Sequence, residues 1–93
     1  MDERQKDLSR YRITEAEDSL KVAAHCLREE LYKDSINRSY YATFYAVKAV
    51  LALSTVDFKR HKDVMGYFNK EYVAKEIFPR ELGRRIGILQ RVR

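Results

Sequence analysis

An all-α fold, read as an antiparallel up-and-down bundle of four helices, follows from two features of the sequence. The 93 residues contain three glycines and one proline, and Pro79, Gly83 and Gly87 all lie in the last fifteen positions. A β-sandwich or barrel needs turn residues about every 8–12 positions. Apolar residues recur instead at spacings of three and four, the period of one face of a helix.

The first helix runs to about Leu31. Ile13, Ala16, Leu20, Ala23, Leu27 and Leu31 form its apolar stripe, and Glu15, Asp18, Lys21, Arg28 and Glu29 its charged face. Thr14 followed by Glu17 fits a capping box. A start further upstream, near Leu8, is equally compatible, because residues 2–12 hold no breaker.

The second helix runs from Asp34 or Ser35, either of which suits an N-cap, to Leu53. Residues advance about 100° around a helix, so its faces can be sorted. Ile36, Tyr40, Thr43, Phe44, Val47, Val50 and Leu51 share a core face. Ala42, Ala46 and Ala49 make a strip of small residues that another helix can approach closely. Asp34, Arg38, Tyr41, Tyr45 and Lys48 make a third, amphipathic face. Two apolar sides predict packing on two sides, hence a central position or a dimer contact.

A loop, Ser54–Lys59, leads to the third helix, about Arg60 to Glu71, whose period is carried by His61, Val64, Met65, Phe68 and Tyr72. Residues 73–78 turn the chain. Pro79 then suits the first position of a fourth helix, where its missing N–H costs nothing. Leu82, Ile86 and Leu89 are the apolar stripe. Gly83 and Gly87 weaken this helix by about 1 kcal/mol each relative to alanine, but permit close packing. No Gly, Asn or Pro follows before Arg93, so the chain reads as one truncated ahead of a further helix.

Length and composition bound the function. Ninety-three residues make a single domain, 1–93, with a core small enough that a partner chain would add stability. Apolar residues at 45% and charged residues at 35% exclude a disordered chain and a membrane span. The longest weakly polar run, Tyr40 to Leu53, contains Lys48 and is shorter than the roughly 20 residues that cross a bilayer. The opening MDERQKDLSR has no apolar segment of the secretory kind, so the default location is cytoplasmic. A lone cysteine, Cys26, excludes an internal disulfide framework and a cysteine-based zinc site. His25 and His61 lack metal-ligand spacing, so neither metal nor cofactor is expected. The net charge is +5, and residues 79–93 supply +4 of it through Arg80, Arg84, Arg85, Arg91 and Arg93 against Glu81.

The stretch Asn37-Arg38-Ser39-Tyr40-Tyr41-Ala42-Thr43-Phe44-Tyr45-Ala46 resembles the N-R-x-Y-Y-A-x-F/Y signature of HEPN domains. The match is to the small stand-alone, UPF0332-type members, which are related to nucleotidyltransferase substrate-binding domains. Ala16 and Leu20 upstream, then His61, Phe68, the Glu81-Leu82 pair and a terminal arginine, extend the resemblance over nearly the whole chain. It implies a helical bundle, often dimeric, partnered with a small nucleotidyltransferase in a toxin–antitoxin or stress module. Many such domains are metal-independent RNases with an Arg-x(4–6)-His motif. The positions that would carry that Arg read Asp18, Ser19 and Leu20 for His25, and Ser54, Thr55 and Val56 for His61. The motif is absent, which points to a binding module over an enzyme, unless the catalytic pair lies in a segment outside these residues or is assembled differently, for example from Arg38 and His61.

Asn37 and Arg38 suit phosphate, since a guanidinium offers a planar fork to its oxygens; a structural ion pair is the plainer role. Tyr41 and Tyr45 share the face of Arg38 and suit base stacking or, equally, a dimer contact. His61 suits acid–base work or phosphate contact; the plainer role is a hydrogen-bonded helix start. Arg80, Arg84, Arg85 and Arg91 form a basic patch suited to RNA, DNA or an acidic protein. Three functions compete: a nucleotidyltransferase partner that contacts nucleotide or RNA phosphate, a metal-independent RNase toxin, and a purely structural helical homodimer.

Overall fold

The computed structural model describes residues 2–54 and 56–93; Thr55, in the loop expected at Ser54–Lys59, lies outside the described residues. Four helices appear among them and no strand: α1 (Glu3–Arg28), α2 (Tyr32–Leu53), α3 (His61–Phe68) and α4 (Arg80–Val92). A single π-helical turn, Asn69–Val73, continues α3.

α1 begins earlier than Thr14. The Asp2 carboxylate accepts the Gln5 N–H at 2.9 Å, and Gln5 Oε1 accepts the Asp2 N–H at 2.9 Å, a reciprocal capping box. Thr14 lies mid-helix, its hydroxyl donating to the Arg10 carbonyl at 3.1 Å. α1 ends at Arg28 because Glu30 turns left-handed, with φ 62°. The Leu31 N–H then reaches back to the Cys26 carbonyl at 2.8 Å, and α2 restarts at once. Neither Asp34 nor Ser35 caps α2, which starts at Tyr32. Pro79 stands one position before α4 rather than in its first turn.

α1 and α2 run antiparallel and meet through small residues. Ala16, Ser19 and Ala23 are buried against the α2 face that carries Ser35, Ala42, Ala49 and Ala52. The expected stripe on α1 is therefore displaced. Ala16 and Ala23 lie in the contact, but Leu20 and Leu27 stand 55% and 57% exposed on its flank, with Ile13 and Leu31 also exposed. The physical reason is distance. Without bulky side chains between them, the helices come close enough for side chains of each to bond carbonyls of the other. Ser9 Oγ donates to Ala49 O at 2.9 Å, Ser35 Oγ to Ala23 O at 2.8 Å, and Arg12 Nη1 to Lys48 O at 3.0 Å.

The opposite face of α2 carries the core. Tyr40, Phe44, Val47 and Leu51 pack with Val64, Met65, Phe68, Val73 and Ile86. α2 is thus the middle layer: among the described residues α1 touches no other helix, while α3 and α4 pack on the far side of α2. Gly83 lets α4 reach the π turn, since a Cβ there would lie 2.8 Å from Val73 Cγ1.

Ala49, 1% exposed at the α1–α2 crossing, sets the helix separation. Ala49→Leu should lose about 1–3 kcal/mol of stability by overpacking, read as a lower midpoint in urea unfolding.

Candidate functional site

The face of α2 that carries Arg38, Tyr41, Tyr45 and Lys48 follows helical spacings of three and four, so these side chains line one side. The first turn of α3 delivers His61 to it. Nδ1 of His61 lies 3.2 Å from the Tyr40 hydroxyl. The imidazole stacks on Phe44 with centroids 3.8 Å apart, and Tyr41 meets it edge-on at 5.7 Å. Tyr45 extends the row, 6.2 Å from Tyr41.

Each end of this aromatic strip carries a cation. At one end the Arg93 guanidinium lies 4.1 Å from the Tyr40 ring centre and 5.4 Å from that of Tyr41. Its Nε donates to Asn37 Oδ1 at 3.3 Å. At the other end Lys48 Nζ sits 5.6 Å from the Phe44 ring centre and 3.3 Å from Asp57 Oδ1. Burial, then Arg93, then Lys48 lower the His61 pKa from its ordinary 6.5, so the imidazole is neutral at pH 7. A neutral imidazole holds one proton and one lone pair. It can pass a proton in either direction, with Tyr40 fixing its ring.

The structure places Asn37, Tyr41, Tyr45 and His61 together. Arg38 is exposed on the same face and makes no ion pair among the described residues. The arginine whose charge bears on His61 is Arg93, from the far end of the chain. The arginines of α4 divide. Arg80 pairs with Glu76 at 3.2 Å, while Arg84 and Arg85 share Glu81. Arg91 is exposed and in no ion pair among the described residues. Cys26 is buried, His25 is solvated, and no cluster of metal-ligating side chains forms among the described residues.

Two charged groups escaped sequence reading. Arg12 is 9% exposed and bonds both the Lys48 carbonyl and Asp57. The signal was its phase: positions 12, 16, 19, 23 and 26 repeat at four and three, which sets an arginine in line with the small residues of α1. Asp57 sits in a loop without periodicity and carried no comparable signal.

The model of the HEPN domain family matches residues 9–93. A UPF0332 protein of Thermotoga maritima is 34% identical over 90% of this chain and 63% of its own length. A UPF0332 protein of Gloeobacter violaceus is 33% identical over 84% of this chain and 62% of its own. A Methanocaldococcus jannaschii protein named "putative toxin" is 36% identical over 66% of this chain and 42% of its own. The chain thus spans less than two thirds of the length of these relatives. No solved structure matches. No helix among the described residues is long and apolar enough to cross a membrane.

Because the folded state lowers the His61 pKa, the unfolded chain binds this proton more readily. The linked stability is complete above pH 6.5 and declines as pH falls below it, levelling once folded His61 is also protonated. Thermal melts from pH 7.5 to 5 should show this decline, and His61→Gln should flatten it.

Proposed function

The chain belongs to the HEPN domain family, and from that premise we propose that it is the toxin-type member of a two-component toxin–antitoxin module. Its partner is a small nucleotidyltransferase, and its ligand is the phosphate and base of RNA or a nucleotide. The observation that carries this reading is the pair of half-buried rings Tyr41 and Tyr45, 6.2 Å apart, seated on the core rings Tyr40 and Phe44 and flanked by Arg93 and Lys48. Stacked rings hold bases without regard to sequence, and flanking cations hold the backbone. Arg38 adds an unpaired guanidinium one helical turn before Tyr41, and Asn37 keeps an amide beside Arg93. The names of the Methanocaldococcus relatives support the toxin half of the reading. The basic patch on α4 contributes less than its arginine count, since Arg80, Arg84 and Arg85 are already paired with glutamates.

A second reading, metal-independent RNA cleavage, is favoured by one observation: a neutral His61 hydrogen-bonded to Tyr40 and within the field of Arg93. In that reading His61 accepts the ribose 2′-hydroxyl proton and Arg93 steadies charge on the phosphate. Cleavage of RNA in EDTA, lost in His61→Ala, would carry it.

The binding reading makes separable predictions. Tyr41→Ala should weaken single-stranded RNA binding by about 1–3 kcal/mol for the lost stack. Arg38→Ala should lower the slope of log affinity against log salt by about 0.7, one phosphate contact on a single strand. Fluorescence anisotropy across a salt series measures both, and affinities unchanged in both variants would place the ligand elsewhere. Co-purification of a nucleotidyltransferase with the tagged chain tests the partner.

A further inference from the structure

Under the loop between α2 and α3, two cations share one carboxylate. Asp57 Oδ2 lies 3.4 Å from Arg12 Nη2, and Oδ1 lies 3.3 Å from Lys48 Nζ. Exposure is unequal: the Arg12 and Lys48 side chains keep 10% and 20%, and that of Asp57 keeps 61%. The carboxylate covers the cations, and water reaches the carboxylate. Burial acts to raise the Asp57 pKa, but the Lys48 hydrogen bond and the charges of Lys48 and Arg12 outweigh it, so the group stays ionised.

Arg12 is held in place without Asp57. Arg12 Nη1 is anchored on the Lys48 carbonyl at 3.0 Å, which holds the aim of the guanidinium fork. Lys48 Nζ lies near the Phe44 ring. Asp57 itself rides on a non-helical loop and, among the described residues, accepts the Phe58 N–H, at 3.0 Å, besides the two cations. Beside it opens a cleft of about 240 Å³ lined by Arg4, Leu8, Arg12, Ala52, Val56 and Asp57. Arg4 makes no ion pair among the described residues. Asp2 also faces this cleft, with its carboxylate engaged by the Gln5 N–H.

We propose that Arg12 and Lys48 form an anion site that Asp57 closes, and that a phosphate monoester opens it by taking the place of the carboxylate. One carboxylate leaves the pair a net positive charge, whereas a phosphate near neutral pH carries close to two negative charges. Its oxygens accept from Arg12 Nη2 and from the Lys48 ammonium together, the two groups that Asp57 now occupies. Asp57 competes as a tethered weak ligand, present at high effective concentration because it belongs to the same chain. The site is separate from the Tyr41 face proposed above, with Lys48 as the one shared group, so either can fail without the other.

The test is calorimetric titration of the whole chain with inorganic phosphate at constant ionic strength. Asp57→Asn keeps the shape and removes the competing charge, so phosphate affinity should rise about tenfold over the wild-type chain. Lys48→Met in the Asp57→Asn background should remove that gain. Equal affinity in wild type and Asp57→Asn, or a gain that survives Lys48→Met, overturns the proposal. Should Asp57→Asn not fold, the Lys48 and Phe58 amide resonances of the wild-type chain decide. Saturable shifts with phosphate but not chloride support the site, and their absence overturns it. Competition by a 5′-phosphorylated oligoribonucleotide, but not its 5′-hydroxyl form, assigns the phosphate to an RNA end. Competition by adenosine monophosphate alone assigns it to a free nucleotide, and competition by neither overturns a monoester.

Discussion

The close approach of α1 and α2 is the constraint on which the rest of the molecule depends. Alanine and serine at Ala16, Ala23, Ser35, Ala42 and Ala49 let two long helices meet with backbones almost in reach of each other. Dispersion over such a contact is dense, because many atoms lie near their optimal separation. The hydroxyls of Ser9 and Ser35 meet carbonyls of the other helix instead of water. Once α1 takes the small-residue side of α2, the large residues Tyr40, Phe44, Val47 and Leu51 are left to face α3 and α4. The polar third of α2 is then the only part free to carry chemistry. The same closeness brings Arg12 to the Lys48 carbonyl and so to Asp57.

The fold class was legible because composition and period agree: few breakers, and apolar residues in phase over each helix. The division of α2 into faces was legible for the same reason. The contact face of α1 was not. Reading by hydrophobicity favours Leu20 and Leu27, whereas the packing selects Ala16, Ser19 and Ala23 for their size. Helix ends were misplaced where a cap stood outside the expected span, as at Asp2, or where a left-handed residue other than glycine, Glu30, made the turn.

In the candidate site, His61 and the tyrosines drew attention through the motif and its spacing. Arg93 was read only as the terminal arginine and as charge, because its contact with Asn37 across 56 residues leaves no local trace. The pairing of the α4 arginines was legible in principle. Glu81 precedes Arg84 and Arg85 by three and four positions, which is ion-pair spacing on a helix, whereas Glu76 reaches Arg80 from the turn ahead of α4. Counting charge without pairing it overstates the field of that helix. The surroundings of His61 illustrate the opposite error: cations on two sides and partial burial make a histidine neutral inside a basic protein.

The layered order, with α1 held by α2 alone, has a kinetic consequence. A helix bound along one side, with the Arg12–Asp57 pair as a tie to the following loop, opens as a unit. The 26 residues of α1 should therefore form their own exchange cooperative, shedding amide protection together while α2, α3 and α4 stay closed. Each such opening uncovers the alanine side of α2 and frees Asp57 from one of its two cations. Opening of α1 and exposure of the buried Arg12 are then the same event.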